Sequence, residues 1–169
     1  METVEFIRLL IAGVRRQTDE AMKDMTLEQF NWTPPGPANS ISGIFVHFLN
    51  SEDAFIQAQI QGKPRLWEAG GWSAKTGVAL PPGYSGGWEE IKLLGVPLVP
   101  VLAFQQVVRA ATDAYLETLT SAELDRVIQS PRGDRSVAAT LIILANHAVL
   151  HSGEIAALKT IQQRKQPPA

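Results

Sequence analysis

The chain contains no cysteine. That absence excludes disulfide staples, thiolate metal sites and a cysteine nucleophile together. It fits a reducing cytoplasm, which is the expected location. Charge is also sparse: charged residues are 19% of the 169, the formal balance is −2, and no basic run stands out. A nucleic-acid binder carries a cationic footprint, so no nucleic-acid partner is expected. Met1 to Glu5 lack the positive and apolar regions of a secretory signal. The most apolar run, Val137 to Leu150, is short for a membrane span and is interrupted by Asn146 and His147, so no membrane partner is expected either. There is no internal repeat and no convincing strand pair.

What is present is apolar and helical. Hydrophobic residues make up 45% of the chain, enough for the core of one domain over 1–169. Val4, Ile7, Ile11, Val14, Thr18, Ala21 and Met25 recur at three- and four-residue steps and predict a helix over about 3–25. Pro34, Pro35 and Pro37 break the chain. Asn39 or Ser40 then offers an N-cap for a second helix ending near Gln61. Pro100 suits the first position of a third helix reaching Leu119, and Ser121 to Ile128 suit a short extra turn. Ser136 caps a fourth helix over Val137–Gln163. The residues 164–169 read as a loose tail. The expectation is an all-α four-helix bundle with a long crossover between its second and third helices.

That crossover, Gly62 to Val99, holds eight of the 13 glycines and three of the 4 tryptophans. Long connections of this kind are functional or disordered, and the tryptophans argue for order. A turn of helix fits Trp88 to Leu94. Trp67, Trp72, Tyr84 and Trp88 suit either a lid over a small-molecule pocket or a satellite cluster that pins the segment down.

All 3 histidines fall on predicted helices. His147 and His151 are one turn apart on one face. Thr140, Ile143, Leu144, Leu150, Glu154, Leu158 and Ile161 lie within about 60° of His147 on the wheel, which predicts that the histidines and Glu154 point into the core. Imidazoles buried among Ile and Leu need partners, and a divalent metal would supply one. His47 lies mid-way along the second helix beside Gly43, Ile44, Asn50, Ser51, Ala54 and Ala58. That mostly small face predicts free volume for a metal, water or ligand. An isolated His pair at this spacing is more often a structural feature, and the inward direction and the small-residue face are what favour a metal.

Glu154 can orient a ligand histidine, act as general base, or pair with an arginine. Glu52 lies about 140° from His47 and is a weaker candidate. Asn50 and Ser51 can bond a water or ligand, or simply edge the core. The opposite face of the last helix carries Ile142, Ala145, Val149 and Ala156; a homodimer or the crossover would cover it. Gly70 to Gly77 lacks the order of a phosphate loop, and Ser152 has no nucleophile elbow.

Three segments together resemble the DinB-like (YfiT-like) metalloenzyme superfamily. Leu27-Glu28-Gln29-Phe30-Asn31-Trp32 with its proline-rich turn is similar to the link between that family's first two helices. Asn39-Ser40-Ile41-Ser42-Gly43-Ile44-Phe45-Val46-His47 is similar to the helix carrying its first ligand. Asn146-His147-Ala148-Val149-Leu150-His151-Ser152-Gly153-Glu154-Ile155 resembles its H-x-x-x-H-x-G-[QE]-I signature. The resemblance implies a four-helix bundle in which His47, His147 and His151 bind zinc, nickel or a similar ion, and it implies homodimers. Three ligands leave a coordination position open, as catalytic zinc sites do.

Characterised members include transferases using low-molecular-weight thiols. A transferase with a small thiol cofactor is therefore the leading expectation, ahead of a metal-dependent hydrolase or a non-enzymatic metal-binding stress protein. A thiol pocket would offer cations, with Arg109 or Lys75 as candidates, and Trp72 and Trp88 as walls. Two departures stand out: Glu154 stands where many members carry Gln, and the crossover is longer and richer in Gly and Pro.

Overall fold

A computed structural model describes residues 2–83, 86–129 and 133–165. Helix α1, Thr3–Met22, buries Ile7, Ile11, Val14, Thr18 and Ala21 along one stripe, as the spacing predicts. It stops three residues early because Asp24 adopts a left-handed conformation (φ 54°). Thr26 and Gln29 then form a capping box that starts the short α2, Leu27–Asn31. The Thr-x-x-Gln signal was present in the sequence and announces this turn.

Helix α3, Ile41–Asp53, starts where the Ser40 side chain accepts the Gly43 N–H. It continues as a π-helical segment, Ala54–Ile60. The crossover is ordered through three short helices: α4 (Leu66–Ala69), α5 (Trp72–Thr76) and α6 (Trp88–Lys92). Its entry is tied to α3 by Asp53, whose fully buried carboxylate accepts the backbone N–H groups of Leu66 (2.9 Å) and Trp67 (3.0 Å).

Helix α7 runs Leu98–Glu117. Pro100 is its third residue rather than its first, still inside the turn where a missing N–H costs no helical bond. Helix α8, Ser121–Asp125, is capped by Thr120. A small antiparallel pair follows, β1 (Val127–Ile128) with β2 (Arg135–Ser136), which the sequence did not predict. Helix α9, Val137–Lys165, is 29 residues long. It extends past Gln163 into the expected tail, whose last residues, 166–169, lie outside those described.

The long helices α1, α3, α7 and α9 form the bundle, with α9 packed on α1 and α3, and α3 on α7. By length and composition α9 could cross a membrane. Here, however, Leu141, Leu144, Ala145, Ala148, Ser152, Ile155 and Leu158 form a buried stripe against the other helices. The middle of that stripe lies roughly 90° around the helix from His147. The histidines therefore stand on the shoulder of the core face and not at its centre. Ile143, Leu150, Ile161 and Glu154, expected inside, are exposed.

Two polar clusters cross the interior away from the histidines. Arg15 reaches Glu52 (3.4 Å) and also Asp113, while the Thr112 hydroxyl donates to Glu52 at 2.7 Å. The hydroxyls of Thr18 and Ser152 bond across α1 and α9 at 2.8 Å.

Candidate metal centre

His47 of α3 and His147 and His151 of α9 come together, each half-buried. The Nε2 atom of His147 lies 3.0 Å from Nε2 of His47 and 3.0 Å from Nε2 of His151. The geometry of the outer ring atoms fixes the proton positions on two of the three. His47 Nδ1 donates to the Pro82 carbonyl oxygen at 2.7 Å, since a carbonyl can only accept. His151 Nδ1 donates to Glu154 Oε2 at 3.0 Å for the same reason. In the neutral rings, both Nε2 atoms then carry lone pairs aimed at His147. The single ring proton of His147 can satisfy at most one of them. His147 Nδ1 is itself buried with no partner among the described residues.

This donor set fits a cation. Three nitrogens about 2.0–2.1 Å from one tetrahedral zinc stand roughly 3.3 Å apart; two of the spacings found are 3.0 Å, and all three nitrogens lie within 4.8 Å of one another. Outer-nitrogen bonds to a carbonyl and a carboxylate are the partners that orient metal-binding histidines. Electrostatics agree with neutral rings at His147 and His47. Burial, followed by the neighbouring His151 and His47 rings, pushes the His147 pKa down to about 4. Burial also lowers His47, against the opposing pull of the Pro82 carbonyl.

Among the other candidates, Glu154 is at the site. It is exposed and bonded to His151, which gives it an orienting position. Trp88 packs on His47 with ring centres 4.9 Å apart. Its helix also fills the volume expected beside the small face of α3: a Cβ on Gly43 would meet Ile91 at 3.0 Å and Trp88 at 3.8 Å.

Several candidates are engaged elsewhere. Asn50 accepts from Arg65, and Ser51 is half-buried on the same helix. Trp72 is buried, packs on Phe104 of α7 at 5.2 Å, and carries Lys75 over its ring. Trp67 meets the same Phe104 edge-on at 5.0 Å. These two tryptophans are the pinning cluster and not a lid, while Tyr84 lies outside the described residues. Arg109 pairs with Asp19 of α1 at 2.7 Å. Glu52 turns away to Arg15. The Pro82 carbonyl is the group that sequence reasoning missed, because it belongs to the backbone.

A helical bundle with a three-histidine cluster at the α3–α9 seam is a class of candidate metalloproteins. Comparison narrows it to a family. The profile of the DinB superfamily matches residues 10–155, and the chain belongs to that superfamily. The conserved protein of locus from Enterococcus faecalis, known from a crystal structure, has the same fold, with a TM-score of 0.77 at 19% identity over 94% of this chain and 96% of that one. Among curated proteins none matches.

Proposed function

We propose that the chain is a divalent-metal-dependent enzyme, with zinc or nickel held by His47, His147 and His151. The observation that carries this is the convergence of three Nε2 atoms at 3.0 Å steps while two of the rings spend their Nδ1 protons outward. A metal there would supply Lewis acidity, lowering the pKa of a thiol or water that reaches its open side.

We favour a transferase using a small thiol. The thiol's S–H bond breaks and a new bond forms from sulfur to an electrophilic carbon of a small-molecule substrate. The leaving group departs with the bonding pair, and the proton passes to solvent. Glu154 holds the His151 ring, the Pro82 carbonyl holds His47, and Trp88 shields one side of His47 from water. The thiol rests on the family resemblance, whereas the metal rests on the geometry. Such thiols stay reduced in a cytoplasm, which fits a chain without cysteine.

One observation favours hydrolysis instead. Arg109 is engaged by Asp19 and Lys75 sits over Trp72, so neither is free to receive an anionic thiol. Purified protein should first be analysed for metal after metal-replete growth; less than stoichiometric zinc or nickel sinks both readings. The loaded protein is then given an alkylating electrophile with small thiols, and separately ester substrates. Metal-dependent loss of thiol supports the transferase, and metal-dependent ester cleavage alone supports the hydrolase.

A second copy of the chain is the proposed partner. Phe6, Leu9, Leu10, Gly13 and Val149 line an open groove of about 690 Å³ between α1 and α9, rimmed by Arg16 and Glu20. Among the described residues the crossover does not cover it; Ile142 and Val149 are exposed. A rim carrying both charge signs is self-complementary across a two-fold axis. Sedimentation should give a dimer that Leu9→Lys converts to monomer; a monomeric wild type removes this partner.

A further inference from the structure

The crossover does more than connect helices: we propose that Gly87 is a positioning residue for the metal site, because it lets the Pro82 carbonyl reach His47. This rests on the metal reading of the three histidines.

The argument begins with space. Gly87 has φ +89°, and a Cβ built there would stand 2.8 Å from the Leu80 carbonyl oxygen and 3.1 Å from both Cα and N of Pro82. All three obstacles are backbone, so none can swing aside. A methyl at this position must push the strand of chain that carries the Pro82 carbonyl. That carbonyl oxygen is 2.7 Å from His47 Nδ1. On the other side of Gly87, Trp88 opens α6 and packs on the same imidazole at 4.9 Å. Gly87 is thus the joint between two groups that grip one ligand ring. A backbone bridge between Gly83 and Gly86 closes the bend, with N···O distances of 2.9 and 3.3 Å.

The consequence is specific to one ring. His151 takes its orientation from Glu154 on its own helix, one turn away. His47 takes its orientation from a segment 35 residues along the chain. With Nδ1 donating to a carbonyl, the proton is kept off Nε2 and the lone pair is kept on the metal side. Displacing the carbonyl frees the ring to turn and to protonate Nε2 instead.

Gly86 provides the control. Its φ is +114°, so a side chain is strained there too, yet a Cβ would meet nothing within 4 Å. Gly87→Ala and Gly86→Ala therefore both carry backbone strain, and only the first strikes Pro82.

The test uses the full chain. Zinc affinity is measured by competition with a chromophoric chelator for wild type, Gly87→Ala and Gly86→Ala, with circular dichroism showing each variant folded. The His47 tautomer is read from nitrogen-15 shifts of the metal-free wild type and Gly87→Ala. The expected result is a roughly 10- to 100-fold weaker zinc complex for Gly87→Ala and less than about threefold for Gly86→Ala. His47 should carry its proton on Nδ1 in wild type and lose that preference in Gly87→Ala.

Equal affinity for folded Gly87→Ala and wild type overturns the proposal. So does an equal loss in the two variants, which would assign the effect to strain. A wild-type His47 protonated on Nε2 overturns it as well. The tautomer measurement needs no metal, so a wild type that binds no zinc would sink the metal reading while this arm still decides the role of Gly87. If Gly87→Ala does not fold, Trp88→Leu and the wild-type tautomer carry the test. The leucine variant must weaken zinc binding while keeping the Nδ1 proton, and unchanged binding overturns the grip on His47.

Discussion

Two polar clusters lie inside the same bundle, and they solve the problem of burial in opposite ways. Between α1, α3 and α7, Arg15, Glu52, Thr112 and Asp113 bring charges of both signs and a hydroxyl donor. Nearly every group there finds its complement in another side chain. Between α3 and α9, three imidazoles present the same kind of atom to one another at 3.0 Å. The one ring proton of His147 can answer only one of the two lone pairs that converge on it. A cluster that balances itself holds a fold together; one that does not balance could hold a metal ion.

That contrast can be broken by mutation. The largest effect should come from His147→Ala, which removes the central nitrogen. Metal analysis should find no stoichiometric ion, a loss beyond the roughly 100-fold that outer partners command, with the helical spectrum intact. Next is Glu52→Ala. It leaves the mostly buried Arg15 guanidinium with the exposed Asp113 as its remaining carboxylate and should cost about 2 kcal/mol in urea unfolding, with zinc affinity unchanged. A Glu52 variant that loses zinc would erase the separation between the clusters.

Glu154→Ala should follow, weakening zinc about tenfold as the His151 ring loses its anchor. A separate loss, of folding stability rather than of metal affinity, appears in acid. The folded-state pKa of His147, about 4, lies below its ordinary 6.5, so the unfolded chain takes up the proton first. Metal-free protein should hold its full stability from this group above pH 6.5 and lose it progressively down to about pH 4. His147→Gln should flatten that window. Smallest is Ser152→Ala, which breaks the hydroxyl bridge to Thr18 and should cost about 1 kcal/mol.

Much of this was legible in the residues. The spacing in α1, the caps at Ser40 and Ser136, and the one-turn separation of His147 and His151 follow from local rules and survive in the structure. The inward direction of α9 did not follow. Ile142, Ile143, Val149, Leu150 and Ile161 are apolar yet exposed. A helix apolar on nearly all sides has no unique buried face to read, so the wheel put Glu154 inside when it stands at the rim. The free space predicted beside His47 was real as a small-residue face, but α6 fills it, and only tertiary packing decides that. The π-helical segment has no sequence signature that the helical period reveals. The Pro82 oxygen could not be foreseen, since every residue type carries a carbonyl.

The placement of the three histidines would have a kinetic consequence for a bound ion. His147 and His151 sit near the middle of a helix roughly 43 Å long, far from either fraying end. Such positions are expected to open less often than the ends do. His47 depends on a bend of the crossover, whose backbone is held, among the described residues, by few bonds. An ion would therefore leave by the His47 side. Amide hydrogen exchange should show Gly86 to Ile91 opening far more often than Ala145 to Ile155, and metal release should keep pace with the faster region.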